Sequence, residues 1–481
     1  MSLATPSSAS APSASAKRLL PWLVAIAFFM ESLDTTILNT AVPAVSEALH
    51  VDALSMKAVL ASYTLSLAIF IPISGWMADR FGTRRVFASA IGVFTLGSLL
   101  CGVSTNIDLL VTFRLLQGCG GAMMVPVGRL TLIRTFAKSD LIRAMSFVSI
   151  PALVGPMLGP IAGGLIVGYL HWRFIFFVNI PIGLAGLLTV YLHLPNYREE
   201  RTPPLDVLGL ILFGSGIALL SYVLEVFGEH TLSSREMSGL LVISLALIAG
   251  YGLYAARTEF PLLQMRLFAV RTFRASVGGG FLTRLALGGV PFLLPLLYQV
   301  GLGFTPVQSG LLIMPQAIAA MASKSVVSKI LARFGYRTFL IANAGVIALL
   351  VALFSAIGLH TPVWAIVLLA FFYGGFASLQ YTSLNTLVYA DISDEEASNA
   401  SSIASAMQQL SISFGVAAAG LATALFIPNG ARANSLEMIH GTHLAFFFQG
   451  GLAILSALVF RGLHPGDGAK VSRQKVLDQG G

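Results

Sequence analysis

Apolar runs alternate with short polar segments along almost the whole chain. A helix of about 20 consecutive apolar residues crosses the hydrocarbon core of a bilayer. The pattern therefore predicts an all-α membrane protein with about fourteen spanning helices, since about fourteen runs reach that length. The predicted helices cover residues 19–41, 55–76, 85–104, 107–127, 140–166, 172–194, 205–227, 236–256, 271–297, 306–328, 336–358, 361–385, 398–426 and 442–462.

Composition supports a lipid environment. Of the 481 residues, 56% are hydrophobic and 10% are charged, whereas soluble domains carry about 25% charged residues. The formal charge of +8 does not indicate nucleic-acid binding, because the charges lie between the predicted spans. Cys101 and Cys119 lie in apolar runs and are predicted to pack as small hydrophobic residues. Their number and placement suggest neither a disulfide framework nor a metal site.

The basic residues predict the orientation of the chain. With both termini in the cytoplasm, most Lys and Arg residues fall in cytoplasmic segments, as the positive-inside rule requires. The opposite side then holds Lys57, Arg173, Arg235 and Arg432. An even number of helices is needed for this distribution. The prediction is a multi-pass protein of a bacterial inner membrane.

A short repeat indicates two related halves. Residues 78–84 (ADRFGTR) resemble residues 331–337 (LARFGYR), and each copy follows the second predicted helix of its half. Two six-helix halves with two extra helices between them explain the spacing, and parallel repeats are a known transporter architecture. The predicted division is a disordered cytoplasmic tail (1–18), an N-terminal six-helix bundle (19–200), two linker helices (201–260), a C-terminal six-helix bundle (261–465) and a cytoplasmic tail (466–481).

The first predicted helix carries two acids. Asp34 lies in residues 33–43 (LDTTILNTAVP), and Glu31 lies three positions before it on roughly the same helix face. An ionisable residue at membrane depth is a functional candidate by default, and a low dielectric favours the uncharged carboxyl group. Asp34 is therefore predicted to carry protons. Glu31 could share that proton, contact a cationic substrate or face a wet cavity.

Arg114 is a cation inside the fourth predicted helix, in residues 110–121 (LVTFRLLQGCGG). A buried cation needs a partner, so Arg114 is expected to pair with Asp34 or Glu31. The pair could compete with a proton, or it could simply tie two helices together. Gln117 could add polar contacts nearby.

Two further segments are rich in glycine. Residues 75–85 (GWMADRFGTRR) form a loop between the second and third predicted helices, where Asp79 can accept hydrogen bonds from arginines. Residues 155–164 (GPMLGPIAGG) lie in the fifth predicted helix, where small residues permit close helix packing and prolines permit kinks.

These four motifs resemble the major facilitator superfamily, in its fourteen-helix drug:proton antiporter branch of the EmrB/QacA type, and look closest to the MdtD-type multidrug transporters. Residues 172–183 (WRFIFFVNIPIG) match the start of the sixth helix of that branch. The acid at Glu31 departs from the family pattern. The resemblance implies a role of Arg114 in proton coupling, while Asp34 and Glu31 are proton-coupling candidates from their place in the first predicted helix. It also implies a gating loop (Gly75, Asp79, Arg80, Gly82, Arg84, Arg85) and an antiporter motif, typical of exporters (Gly155, Pro156, Gly159, Pro160, Gly163, Gly164).

The second half offers weaker signals. Arg284 falls within the ninth predicted helix, where it could contact an anionic substrate or extend its side chain toward the cytoplasm. Polar side chains in the fourth, ninth, twelfth and thirteenth predicted helices are candidates for a substrate cavity, namely Gln117, Arg284, Gln380, Asn385 and Gln408.

The sequence predicts a proton-coupled efflux transporter that works by alternating access on small amphipathic compounds. It shows no nucleotide-binding motif of the G-x-x-x-x-G-K-[ST] type and no catalytic constellation, so we expect no enzyme activity and no cofactor, with the proton gradient as the energy source. The expected partners are a small-molecule substrate, protons and lipid, without nucleic acid, and the protein is expected to be a monomer. The alternatives are a narrow-specificity exporter of a metabolite or metal chelate and a membrane sensor without transport. The sequence does not decide whether a periplasmic adaptor is needed.

Overall fold

The computed structural model describes residues 14–136, 138–199, 202, 204–226, 233–393, 396–427 and 435–469, and all regular structure in them is helical. The α-helices are α1 (Ala14–Ile37), α2 (Val42–Ala48), α3 (Met56–Phe81), α4 (Thr83–Val103), α5 (Ile107–Thr135), α6 (Lys138–Tyr169), α7 (Phe174–Phe177), α8 (Asn179–His193), α9 (Val207–Val226), α10 (Ser234–Ala255), α11 (Arg271–Gly288), α12 (Val290–Pro295), α13 (Pro306–Ser323), α14 (Val327–Leu353), α15 (Val363–Leu387), α16 (Ala397–Phe426) and α17 (Ser435–Phe460).

Twelve helical segments of the described chain are long and apolar enough to cross a membrane. Two more helices, α6 and α13, lie where the sequence predicted the fifth and tenth spans. They are not among the twelve, although α6 includes a shorter apolar stretch at Val154–Tyr169. The prediction of an all-helical membrane fold is confirmed, whereas the count of fourteen spans is not.

Several helix ends differ from the prediction. Helix α1 begins at Ala14, so residues 14–18 of the predicted tail are helical. The rest of that tail, and residues 470–481 of the C-terminal tail, lie outside the described residues. Helix α5 continues to Thr135 rather than residue 127. Its added turns carry Arg129 and Arg134. Long basic side chains can reach water while their backbone stays helical, so these two charges do not end the helix.

Local side chains fix the starts of several helices. The Asn106 side chain accepts a hydrogen bond from the Leu109 backbone N–H at the start of α5. Thr305 and Gln308 form a capping box at the start of α13. These contacts satisfy backbone donors that a helix end leaves unpaired.

The repeated Phe-Gly pairs share a backbone conformation. Gly82 has φ +96° and Gly335 has φ +69°. Only glycine adopts such values without strain. Gly82 separates α3 from α4, and Gly335 interrupts α14. The sequence repeat therefore corresponds to two matching sharp turns in the chain.

Helix packing places the cavities described below. In the first half α1 packs on α6, and α5 packs on α3 and α4. In the second half α11 packs on α16 and α17, α13 on α15, and α14 on α17. Helices α9 and α10 form a pair, and α9 also contacts α3 and α16. The two groups of helices meet along α3 with α16 and along α6 with α13.

Candidate functional site

A buried polar cluster surrounds Asp34 in the first half. Arg114 Nη1 lies 2.5 Å from Asp34 Oδ2. Gln117 Nε2 donates to Asp34 Oδ1 over 2.8 Å, and Asn179 Nδ2 donates to the same oxygen over 3.0 Å. Asn179 and Gln117 also contact the Ser98 hydroxyl, at 3.0 and 3.3 Å. We call these five residues the Asp34 cluster, and each is at most 1% exposed.

Aromatic rings cover the remaining faces of Arg114. Its guanidinium carbon lies 4.3 Å from the centroid of the Tyr63 ring and 5.9 Å from that of Phe176. A cation over a ring face is stabilised by the ring quadrupole. Arg114 Nη1 also donates to Gln117 Oε1 over 2.9 Å. Charge, amide and ring contacts together hold the guanidinium in one position.

The sequence identified only part of this cluster. Asp34, Arg114 and Gln117 were predicted, and the structure pairs Arg114 with Asp34 rather than Glu31. Asn179 and Ser98 were not singled out. Asn179 lies in the motif at residues 172–183, which was the one signal that could have found it.

Glu31 lies outside the Asp34 cluster. It lines a cavity of about 510 Å³ between α1, α3 and α5 on one side and α16 on the other, together with Arg129 and Gln408. The cavity reaches the end of the bundle where α3 and α5 finish and α16 starts, at Gly75 and Ala397. We call this end the open end and this space the first cavity. Of the predicted cavity residues, Gln408 lies here.

A second cavity of about 440 Å³ lies between α1 and α6 on one side and α11, α12, α13 and α15 on the other. Its polar wall is formed by Gln316, Lys324, Tyr381 and Asn385, and much of the rest is apolar. Lys324 follows the last residue of α13. Of the predicted cavity residues, Asn385 lies here.

Arg284 stands behind the second cavity. Its Nη2 donates to Asn385 Oδ1 over 2.8 Å, and its guanidinium carbon lies 5.2 Å from the Tyr381 ring centroid. It lines a small void of about 10 Å³, which it shares with Asn385 and Gln408. Arg284 is 7% exposed and forms no ion pair within the described part of the chain.

Two predicted cavity residues lie elsewhere. Gln117 belongs to the Asp34 cluster. Gln380 is fully buried between α14 and α15, where its Oε1 accepts from Asn343 Nδ2 over 2.7 Å. Gln380 lines neither cavity, because the face of α15 that carries it packs on α14.

The predicted gating loop is tied to its own half. Arg134 Nη2 lies 2.8 Å from Asp79 Oδ1 and 2.9 Å from Glu199 Oε1. The Arg84 backbone N–H donates to Asn196 Oδ1 over 3.1 Å. These contacts fix the loop against α5 and the segment after α8. Of the other loop residues, Arg80, Arg85 and Gly75 are exposed and Gly82 forms the turn.

The glycines of the predicted antiporter motif form one face of α6 against α1. A side chain on Gly155 would meet Ser32, one on Gly159 would meet Thr36, and one on Gly163 would meet the Ile37 carbonyl oxygen. Pro156 and Pro160 line the second cavity. The motif therefore allows the backbone of α6 to contact α1 directly.

The two halves also meet by close backbone contact. A side chain on Gly164 would meet the Pro306 carbonyl oxygen, and one on Gly310 would meet that of Pro160. Gln299 Nε2 donates to the Thr40 carbonyl oxygen over 2.8 Å. These contacts lie at the end of the bundle opposite Gly75, which we call the closed end.

Comparison with known proteins identifies the family. The profile of the Major Facilitator Superfamily matches residues 24–416. The chain belongs to this superfamily. It is 42% identical over 400 residues, 83% of this chain and 84% of the relative, to "Putative multidrug resistance protein MdtD" of Serratia proteamaculans. It is 39% identical over 450 residues to the protein of the same name from Pectobacterium atrosepticum, covering 92% and 95% of the two chains. Family membership makes the chain a transporter and not an enzyme.

Solved structures share the superfamily fold. A D-xylose-proton symporter superimposes with a TM-score of 0.66 at 14% identity, over 94% of this chain and 99% of that one. A bacterial homologue of the human lysosomal transporter Spinster gives a TM-score of 0.66 at 13% identity, over 93% and 97% of the two chains. The resemblance predicted from the motifs is confirmed at the level of family and fold.

Proposed function

We propose that the chain is a proton-coupled efflux transporter that exchanges protons for small amphipathic compounds in the inner membrane of a bacterium. The observation that carries the proposal is the buried pair of Asp34 and Arg114. A proton on Asp34 removes the charge that holds Arg114, while Arg114 itself stays charged. Proton binding therefore leaves the Asp34 cluster with a net positive charge on Arg114.

Glu31 supplies a route for the proton. Asp34 is 1% exposed, so a proton needs a carrier between water and the Asp34 cluster. Glu31 lies one helical turn away and lines the first cavity. We assign Glu31 to proton transfer rather than to the pair itself.

Alternating access is supported by the contrast between the two ends. The first cavity reaches the open end, whereas glycine contacts between α6 and α13 bring the halves together at the closed end. A transporter of this class works by rocking its halves around a central site. In the proposed cycle the antiporter-motif face of α6 stays on α1 while the α6–α13 contact opens.

The same proposal covers topology. Counting α6 and α13 as spans gives two bundles of six, residues 19–200 and 261–465, with α9 and α10 between them as the two extra helices. Both termini are cytoplasmic, so the open end faces the cytoplasm. The protein acts as a monomer, uses no cofactor beyond the proton gradient, and binds protons, lipid and a small-molecule substrate but no nucleic acid.

Substrate range separates the proposal from its main rival. The names of the relatives support a multidrug range. Arg284, which has no ion-pair partner among the described residues, supports a narrow exporter of an anionic metabolite or chelate instead. A membrane sensor without transport would not need buried charges beside a cavity.

The test is proton movement in inverted membrane vesicles. A pH probe reports substrate-induced proton flux for wild type, Asp34→Asn and the control Glu259→Gln, which changes an exposed carboxylate. The panel contains cationic drugs and organic anions. Flux caused by several unrelated compounds, lost in Asp34→Asn and kept in Glu259→Gln, is the expected result.

Other outcomes lead elsewhere. A response to one anion alone favours the narrow exporter. A normal response in Asp34→Asn excludes Asp34 as the proton carrier. If no compound moves protons in wild type, the antiport mechanism is wrong.

A further inference from the structure

The polar wall of the second cavity is rich in hydrogen-bond donors. It contains the Lys324 ammonium, the Tyr381 hydroxyl and the Gln316 side chain, whose Nε2 is buried without a partner in the described structure. An unpaired buried donor is costly unless a ligand or water accepts from it. This wall is therefore suited to a ligand that accepts hydrogen bonds.

Asn385 adds a donor whose direction is fixed by Arg284. A guanidinium can only donate, so the oxygen of the Asn385 amide must face Arg284, as the 2.8 Å contact from Arg284 Nη2 to Oδ1 shows. The amide nitrogen of Asn385 is then left for the cavity, which this exposed side chain lines. Arg284 thus orients the donor as well as adding positive charge behind it.

The charges around the second cavity are one-sided. Lys324 lines it and Arg284 lies behind Asn385 and Tyr381, and neither cation forms an ion pair with a described residue. Among the described residues that line this cavity, none is an Asp or Glu. Glu31 lines the first cavity instead. A buried cation without a counter-charge favours an anionic ligand.

We infer that the second cavity binds the anionic group of an amphipathic substrate, a carboxylate or a similar oxyanion. The anionic group lies against Asn385, Lys324 and Gln316, with Arg284 behind Asn385. The apolar body of the substrate lies against residues of α12 and α13, such as Leu294 and Ile313. The inference rests on the proposed export function, because it names the class of substrate that function serves.

The test compares ligands that differ only in charge. Purified protein in detergent is titrated with naphthalene and anthracene carboxylic acids, and with the corresponding amides and methylammonium compounds, by fluorescence. We expect at least one acid to bind about 10- to 100-fold more tightly than its amide, the range of a charge-assisted hydrogen bond. No pH gradient is present, so proton coupling does not affect the result.

Two variants eliminate the unbalanced positive charge of Arg284 in different ways. Arg284→Gln removes the guanidinium. Asn385→Asp keeps the shape of the side chain and gives Arg284 a carboxylate partner, so it remains informative if Arg284→Gln fails to fold. Both are expected to abolish the preference for the acid. The matched control is Gln308→Glu, the same change of amide to carboxylate at an exposed capping position, which keeps its capping hydrogen bond and is expected to keep the preference.

The outcomes separate this inference from the proposed function. If no acid binds more tightly than its amide in wild type, or if the preference survives Asn385→Asp, the inference is wrong. Charge-independent binding together with proton flux that depends on Asp34 would leave the export function standing. Selective binding of acids without proton flux would support the anion site and contradict antiport.

Discussion

Asp34 on α1 and Arg114 on α5 are 80 positions apart in sequence, yet they form a buried ion pair whose closest atoms are 2.5 Å apart. Both side chains are at most 2% exposed. Bulk solvent does not reach either side chain, so each charge depends on the other, with Gln117 contacting both and Asn179 contacting Asp34. The pair should therefore affect the stability of the first half as well as the proposed binding of a proton.

Removing one charge should destabilise the fold more than removing both. Arg114→Met leaves the Asp34 carboxylate buried and unpaired, at an expected cost of about 3–5 kcal/mol. Asp34→Asn combined with Arg114→Met should cost less, because no buried charge remains. Unfolding in detergent measures both, with the exposed Arg257→Met as the control. A double variant no more stable than Arg114→Met alone would show that the two residues are not coupled.

The contact between α6 and α1 should not tolerate even one added methyl group. In Gly163→Ala the new carbon meets the Ile37 carbonyl oxygen and the Thr40 hydroxyl. Separating the helices is expected to cost about 1–3 kcal/mol. Gly345→Ala, which has open space around the new carbon, should instead gain about 1 kcal/mol from helix propensity. Equal effects in thermal unfolding would contradict this account of the antiporter motif.

Bulk at the closed end should change which end is open. Gly310→Val places its side chain against the Pro160 carbonyl oxygen and pushes α13 from α6. The expected result is about tenfold slower thiol labelling of Ser402→Cys, a residue of the first cavity, because the open-end state is less populated. The background lacks Cys101 and Cys119, and Gly345→Val is the control. Unchanged labelling would mean that this contact does not control the state.

The segment after α17 should show acid-dependent anchoring. Arg271 Nε and Nη2 bind the Asp467 carboxylate at 2.8 and 2.6 Å, and the His464 backbone N–H donates to it over 2.8 Å. Partial burial acts to raise the pKa of Asp467, but the hydrogen bonds from Arg271 and His464 outweigh it and lower the pKa. The stabilisation is therefore complete above pH of about 4, the ordinary pKa of an aspartate, and is lost as pH falls through the lowered value.

Asp467→Asn tests this anchoring. It should lower the melting temperature in detergent at about pH 7 and have less effect at about pH 3, where the wild-type carboxyl group approaches the protonated state. Glu259→Gln, at an exposed carboxylate, should have little effect at either pH. A loss of the same size at both values would show that the charge of Asp467 does not hold the segment.

The helices could be predicted from hydropathy because lipid forces each spanning segment to satisfy its own backbone. Their ends could not, since the apolar run and the helix stop at different places. In α5 the helix outlasts the apolar run to include Arg134, which then reaches Asp79 and Glu199. In α13 the helix is present although its hydropathy is too weak for it to be one of the twelve candidate spans.

The charged residues of the candidate site were predictable, and of its neutral residues only Gln117, three positions after Arg114, was. Asp34 and Arg114 are conspicuous in an apolar run because a charge there is costly. Asn179 and Ser98 are not, because uncharged polar residues occur throughout membrane helices to join them. Gln380 shows the converse error, since its amide binds Asn343 on a neighbouring helix and not a cavity. Which face of a helix meets which neighbour is a property of tertiary packing.

Helix α6 meets both halves through glycine, at Gly163 toward α1 and at Gly164 toward α13. Backbone has no rotamers, so a surface made of it can shift against its neighbour without any side chain changing conformation. Movement there encounters few of the interlocking barriers that larger side chains impose. The consequence is a limit on sequence as well as on motion, because any side chain added at these two positions would meet the backbone of the neighbouring helix.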